Sequence, residues 1–308
     1  MSPICREPRG GEDEFVAYQT LSEETEDHRW AFGTGFTDPL EGIDPSVPDG
    51  VDAAALAAYC LMLGDDALIY SHRLQQWMTR MPELEEETAL ANIALDLLGQ
   101  ARMLLARAGQ AEGAASGGTG RSEDQLAFFR DEHEFRNVRL AEHDDADFAE
   151  LTGRLLVFSA WRLALCGRLA GSADPVLAAI AAKSARELAY HRDYAAQWVI
   201  RLGDGTALSH GRMRAALDVI WPLTDELFQA NPVTARLPGA AADPADLRGE
   251  VDDVLGTVLA AATLDRPQAA PLARVAGRSG RDGVHTESFG YLLAELQSVA
   301  RAHPDATW

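Results

Sequence analysis

Cysteine is scarce in this chain. Its 308 residues hold three, Cys5, Cys60 and Cys166, far apart and without a Cys-x-x-Cys pair. That spacing excludes a disulfide framework and a cysteine-ligated zinc site. Cys60 and Cys166 fall within apolar runs, which predicts buried thiols in a reducing compartment. Val and Ile are thin through the middle of the chain, where Ala, Leu and Arg dominate, and no segment carries a convincing strand signal. Long uncharged apolar runs are missing too. The longest candidate, 155–169, is interrupted by Arg162 and Arg168, so no membrane span is expected. Residues 1–11 are polar and lack the apolar stretch of a signal peptide, which reads as cytoplasmic. Phosphate-binding glycine loops and nucleophile elbows are likewise absent from the sequence.

Positive charge is in deficit. Lys and Arg number 27 against 48 Asp and Glu, for a net charge of −21 and a pI near 4.7. Such a chain repels nucleic acid and anionic membrane surfaces. It suits a basic protein partner, but solubility alone explains the charge and names no partner.

What is present is helix. Residues 1–50 are rich in Gly, Pro, Asp and Glu and show no period, so they read as an extension of low intrinsic order. From 51 onward one helical domain is expected. A first long helix over 52–79 places Leu56, Tyr59, Leu63, Ala67, Tyr70 and Leu74 on one face. Pro82 separates it from a second, ending near Ala108 with Gly109 as its terminator and Leu90, Ile93, Leu97, Gln100 and Leu104 on one stripe. Glu83, Glu85, Glu86 and Glu87 crowd its first turn as solvated acids favoured by the helix dipole. A Gly/Ser/Thr loop at 113–120 and a short helix over 122–132 follow. Long helices are expected over 147–170 and, started by Asp174 and Pro175, over 175–201. Further helices are read at 206–229, 246–264 and 287–301. The fold class is all-α: a ferritin-like four-long-helix bundle with additional C-terminal helices.

Four long helices raise the question of a di-iron centre. Such a site takes a Glu from each of two helices and Glu-x-x-His from each of the other two. The first helix offers Asp65, Asp66 and, further on, His72; the second offers Asp96 and Gln100. The third has no Asp, Glu or His from 151 to 171. In the fourth, Glu187 and His191 are four apart, and Leu188 stands three before His191. In the second, Leu97 stands three before Gln100. The ligand faces thus read Leu-x-x-Gln and Leu-x-x-His, and burying the leucines gains about 1.5–3 kcal/mol each. The expectation is a packed, vestigial site at Asp66, Leu97, Gln100, Leu188 and His191, with no metal held by this chain. His191 is expected to bond Glu187 one turn away. Asp96 is expected to bond Arg102, Gln100 or a group across the bundle. Asp65 and Asp66 are placed near Arg73. His133 and His143 lie among acids in a polar connection and read as solvated rather than as metal ligands; Thr206 or Ser209 is read as a helix cap, and Ser209 not as a nucleophile. Trp77, Trp161, Trp198 and Trp221 fall on helices, at core or interface positions.

Several longer strings carry a resemblance: LEEETALANIALDLLGQARMLL at 84–105, FFRDEHEFRN at 128–137, ELAYH at 187–191, WVIRLGDGT at 198–206, and GVHTE with GYLLAELQ at 283–297. In this order, spanning about 51–301, they resemble the PaaC family, one of the component families of bacterial phenylacetyl-CoA epoxidases. The resemblance implies a ferritin-like fold and a scaffold component without a working metal site. It also implies three partners. A paralogous catalytic subunit (PaaA-like) carries the di-iron centre and binds the CoA thioester, a bridging subunit (PaaB-like) joins the pairs, and a reductase brings electrons from NADPH. Two departures stand out, the first 50 residues and the Ala/Arg-rich composition. Two other readings remain open: a monooxygenase with an atypical ligand set from Asp66, Asp96, Glu187 and His191, and a ferritin-type storage or interaction protein.

Overall fold

In the computed structural model, residues 40–81 and 83–306 are described. Of the extension over 1–50 that is expected to have low order, residues 1–39, with Cys5, lie outside the described residues.

Four long helices make the frame: α1 (Ala53–Met78), α2 (Leu84–Ser116), and, after α3 (Glu123–Phe128) and α4 (Arg139–Glu142), α5 (Phe148–Leu169) and α6 (Pro175–Gly203). Then come α7 (Ala207–Thr224), α8 (Pro232–Ala235), α9 (Arg248–Ala261) and α10 (Glu287–Ala302). Short linkers join α1 to α2 and α5 to α6, which pack as two hairpins. A long connection, 117–147, carries the chain from one hairpin to the other, as in ferritin-like bundles. α7 lies against α5, and α9 against α5 and α6. Among the described residues the only β-type contact is an isolated bridge between Val275 and Arg278. The all-α bundle expectation holds.

Local signals set most of the boundaries. Asp52, Asp147, Asp174 and Thr206 cap α1, α5, α6 and α7 through their side chains. Of the two candidates Thr206 is the N-cap, and Ser209, three residues on, completes the capping box. The six stripe residues of α1 are all buried, as are Leu90, Ile93, Leu97, Gln100 and Leu104 of α2. One boundary departs from the sequence expectation. α2 does not stop at Gly109 but runs another two turns to Ser116, where Gly117 adopts a left-handed conformation. Gly109 instead makes room. A Cβ there would run into the Arg121 carbonyl oxygen, because the returning segment crosses the helix at this point.

By length and composition α1 and α2 could each cross a membrane. That qualifies the expectation drawn from uninterrupted apolar runs. The most apolar window of α1 is 78% buried inside the fold and that of α2 44%. α1 also buries Asp65 and Asp66 in ion pairs, so it is a core helix.

The interior buries several arginines together with acids that balance them. Arg107, Arg130, Arg154 and Arg162 are among its largest fully buried side chains. Arg107 pairs with Asp174, Arg130 with Asp65, Arg154 with Asp145, Arg139 with Glu226 and Arg281 with Asp66. Removing one partner of such a pair typically costs about 3–5 kcal/mol, because the other charge is left buried.

Candidate functional site

The bundle interior is where a di-iron centre would lie, and each residue singled out from the sequence can be placed in it. Gln100 of α2 and Arg162 of α5 meet at its centre. Arg162 Nε donates to Gln100 Oε1 at 3.0 Å, and an Nη donates to the Leu63 carbonyl at 3.2 Å. Among the described buried arginines, Arg162 alone has no carboxylate within ion-pair distance. Burial therefore lowers its pKa, opposed by Cys166 and Asp66 nearby. Gln100 Nε2 passes the chain of bonds to Glu187 Oε2 at 3.0 Å, and Lys183 holds the other Glu187 oxygen.

His191 does not bond Glu187. Its Nε2 faces Asp96 Oδ2 at 2.9 Å across the two helices, and its Nδ1 is buried without a partner. The expected local partner of Asp96, Arg102, turns away to Glu123. Glu187 is near His191 along the chain and Asp96 is far from it, and only the packing of α2 on α6 selects which carboxylate meets the imidazole.

Asp65 and Asp66 also differ from expectation. Arg73 does not contact them; its guanidinium holds the Glu142 and Ser288 carbonyls. Asp65 binds Arg130 and accepts from the Arg136 amide at 2.9 Å. Asp66 takes both Nη atoms of Arg281 at 2.8 and 3.0 Å and accepts from the Val138 amide at 2.8 Å. Burial raises the Asp66 pKa, with Arg281 opposing. Both acids thus serve the 130–138 connection and the C-terminal loop, and neither shares a hydrogen bond with Asp96, Glu187 or His191.

The donor set does not fit two iron ions. Leu97 and Leu188, at the acid positions, are fully buried. α5 supplies a guanidinium where an acid is needed, so the local charge opposes a cation. The cavity beside Arg162 measures about 10 Å³, at the lower limit for a single water. The larger groove, about 560 Å³, lies elsewhere, between α1, α2 and the 281–282 and 231–233 turns; it is lined by Ala57, Met62, Glu112, Arg136 and Arg281 and by none of the bundle-centre residues.

Other contacts between elements were not legible in the sequence. Glu86, read as a solvated first-turn acid, accepts from Tyr194 Oη at 2.5 Å and Trp198 Nε1 at 2.9 Å, tying α2 to α6. His285 sits with both ring nitrogens against acceptors, Glu142 Oε2 at 2.8 Å and the Phe135 carbonyl at 3.2 Å. That contact fastens 283–287 to 128–137, two of the strings that carry the resemblance. His133 is exposed, whereas His143 is drawn in against Glu150 at 3.1 Å. Trp77, Trp161 and Trp221 are core residues, and Trp198 is half-buried.

The chain is similar to known proteins over most of its length. A profile of the phenylacetic acid catabolic protein family matches residues 45–308. The C subunit of the 1,2-phenylacetyl-CoA epoxidase of Escherichia coli (strain K12) is 41% identical over 255 residues, covering 82% of this chain and 99% of that protein.

Proposed function

The chain belongs to the phenylacetic acid catabolic protein family, and from that membership we propose that it is a non-catalytic subunit of a multicomponent oxygenase that epoxidises the aromatic ring of phenylacetyl-CoA. Its role is to pack against a paralogous catalytic subunit and hold that subunit's iron-bearing helices in place. A bridging subunit and a reductase complete the cytoplasmic complex, and neither nucleic acid nor membrane is a partner.

The observation that carries the reading is the Arg162–Gln100 contact. A guanidinium stands in the bundle interior, and the acid positions hold buried leucines. A charge of the same sign as the metal, held by neutral acceptors, removes the electrostatic reason for iron to bind. Packing of a neighbouring subunit is what keeps a metal site rigid, and this chain offers that kind of support. Leu84 and Leu95 on α2 and Tyr190 on α6 are 72, 49 and 52% exposed, apolar surface suited to a partner. The buried tryptophans do not contribute to it. An obligate interface of this kind covers about 2,000 Å² or more.

The test is iron content and ring epoxidation, measured for this chain alone and after co-purification with a catalytic paralogue. No iron alone, with iron and activity in the complex, is the expected result. About two irons per chain alone would make it an oxygenase with an atypical ligand set.

A further inference from the structure

We propose that His143, Asp145 and Glu150 form a binding site for one divalent transition-metal ion of the zinc and cobalt class, outside the bundle interior and independent of the role proposed above. The three residues come from the turn after α4 and the first turn of α5. One ligand atom from each lies within 4.8 Å of the others. His143 Nε2 and Glu150 Oε2 are 3.1 Å apart. A tetrahedral ion with bonds of about 2.0–2.1 Å sets its ligand atoms about 3.3 Å apart, close to the spacing of the His143–Glu150 pair. One imidazole with two carboxylates suits zinc, cobalt or iron(II) better than calcium, which takes oxygen alone.

The ligands are held before any ion arrives. The Ala146 amide donates to Glu150 Oε2 at 2.9 Å, and Asp147 caps α5 between the ligands. Arg154 Nε binds Asp145 Oδ1 at 2.8 Å, and its Nη atoms reach Asp145 and the Ala141 carbonyl. A carboxylate fixed in this way keeps lone pairs for a metal on its other side, and Arg154 becomes the orienting group behind the ligand. Two carboxylates against one guanidinium leave a negative charge for the ion to neutralise. The His143 and Glu150 side chains are 22 and 14% exposed, enough for entry, while Asp145 is fully buried.

A second observation points the same way. The Tyr70 hydroxyl is buried and has no hydrogen-bond partner. Its ring lies under the Arg154 guanidinium, 4.3 Å from Cζ to centroid. Water completing the coordination of the ion would give this hydroxyl a partner. Buried polar groups are seldom left without one.

The test is a Co²⁺ titration of the metal-stripped full-length protein, followed by calorimetry and visible absorption. One equivalent should bind with the intense bands of a low-coordinate cobalt site. H143Q and E150Q, both at partly exposed positions and checked for folding by circular dichroism, should each weaken binding at least about tenfold. H133Q and H191Q should bind as wild type. The proposal is overturned if no saturable binding occurs, or if H143Q and E150Q bind as tightly as wild type.

Discussion

Arg162 Nε donates to Gln100 Oε1 across the bundle at 3.0 Å, from a helix that carries no acid beyond its first turn. This contact sets the chemistry of the interior. A buried cation is already present, fixed covalently, and satisfied by a side-chain amide and a backbone carbonyl. The same amide hands its N–H to Glu187, so one glutamine couples three of the four long helices.

Gln100→Leu removes the acceptor of a buried cation and the donor of a carboxylate. The loss should be about 1.5–3 kcal/mol in urea unfolding. Combining it with Arg162→Met should cost less than the two single changes added, by about 0.5–3 kcal/mol. Strict additivity would show that the two side chains do not depend on each other.

Gly109→Ala places a methyl group against the Arg121 carbonyl, a backbone atom that cannot swing aside. In an open helix the change would stabilise by helix propensity. Here it should destabilise by about 1–3 kcal/mol. Gly99→Ala, also on α2 but with open space around its Cβ, is the control and should be neutral or stabilising. A higher melting temperature for both variants would mean that the 118–121 segment does not press on α2.

Burial lowers the His72 pKa below its usual 6.5, with Glu295 opposing. The unfolded chain therefore binds a proton that the folded chain resists. Stability from this group is present above the unfolded pKa and is lost as pH falls from about 6.5 through the lower folded value. The urea midpoint, followed from pH 7.5 to 5.5, should drop less in His72→Gln than in wild type. Parallel profiles would refute the assignment.

Burial pushes the thiols of Cys60 and Cys166 up to about 12 and about 11. Thiolate is the reactive form, so neither should react at pH 8 in the folded protein. In a Cys5→Ser background, alkylation should proceed only at the rate at which the protein opens. Rapid modification of either cysteine without denaturant would contradict its burial.

The sequence yielded the helices more fully than their partners. Side-chain caps such as Asp147, Asp174 and Thr206 act within a few residues, so their effect is written locally. The stripe of α1 follows from a 3.6-residue period, which the chain carries along its length. Gly109 misled because the same residue ends helices and admits close crossings, and the segment that crosses it at Arg121 lies beyond the end of the helix. His191 misled for a related reason. Glu187 and Asp96 were both chemically acceptable partners, and no local rule chooses between them.

By itself the sequence determined the class of the fold, the four long helices, the lack of acids on α5 beyond its first turn and the leucines where a di-iron site needs carboxylates. These are statements about which residues occur and at what period. Only the tertiary structure decided where the charges go: Asp65 to Arg130, Asp66 to Arg281, Asp96 to His191, and His143 to Glu150. The physical reason is that burial restricts a charged group to the few partners in reach, and reach is fixed by helix packing and by the closing of long loops.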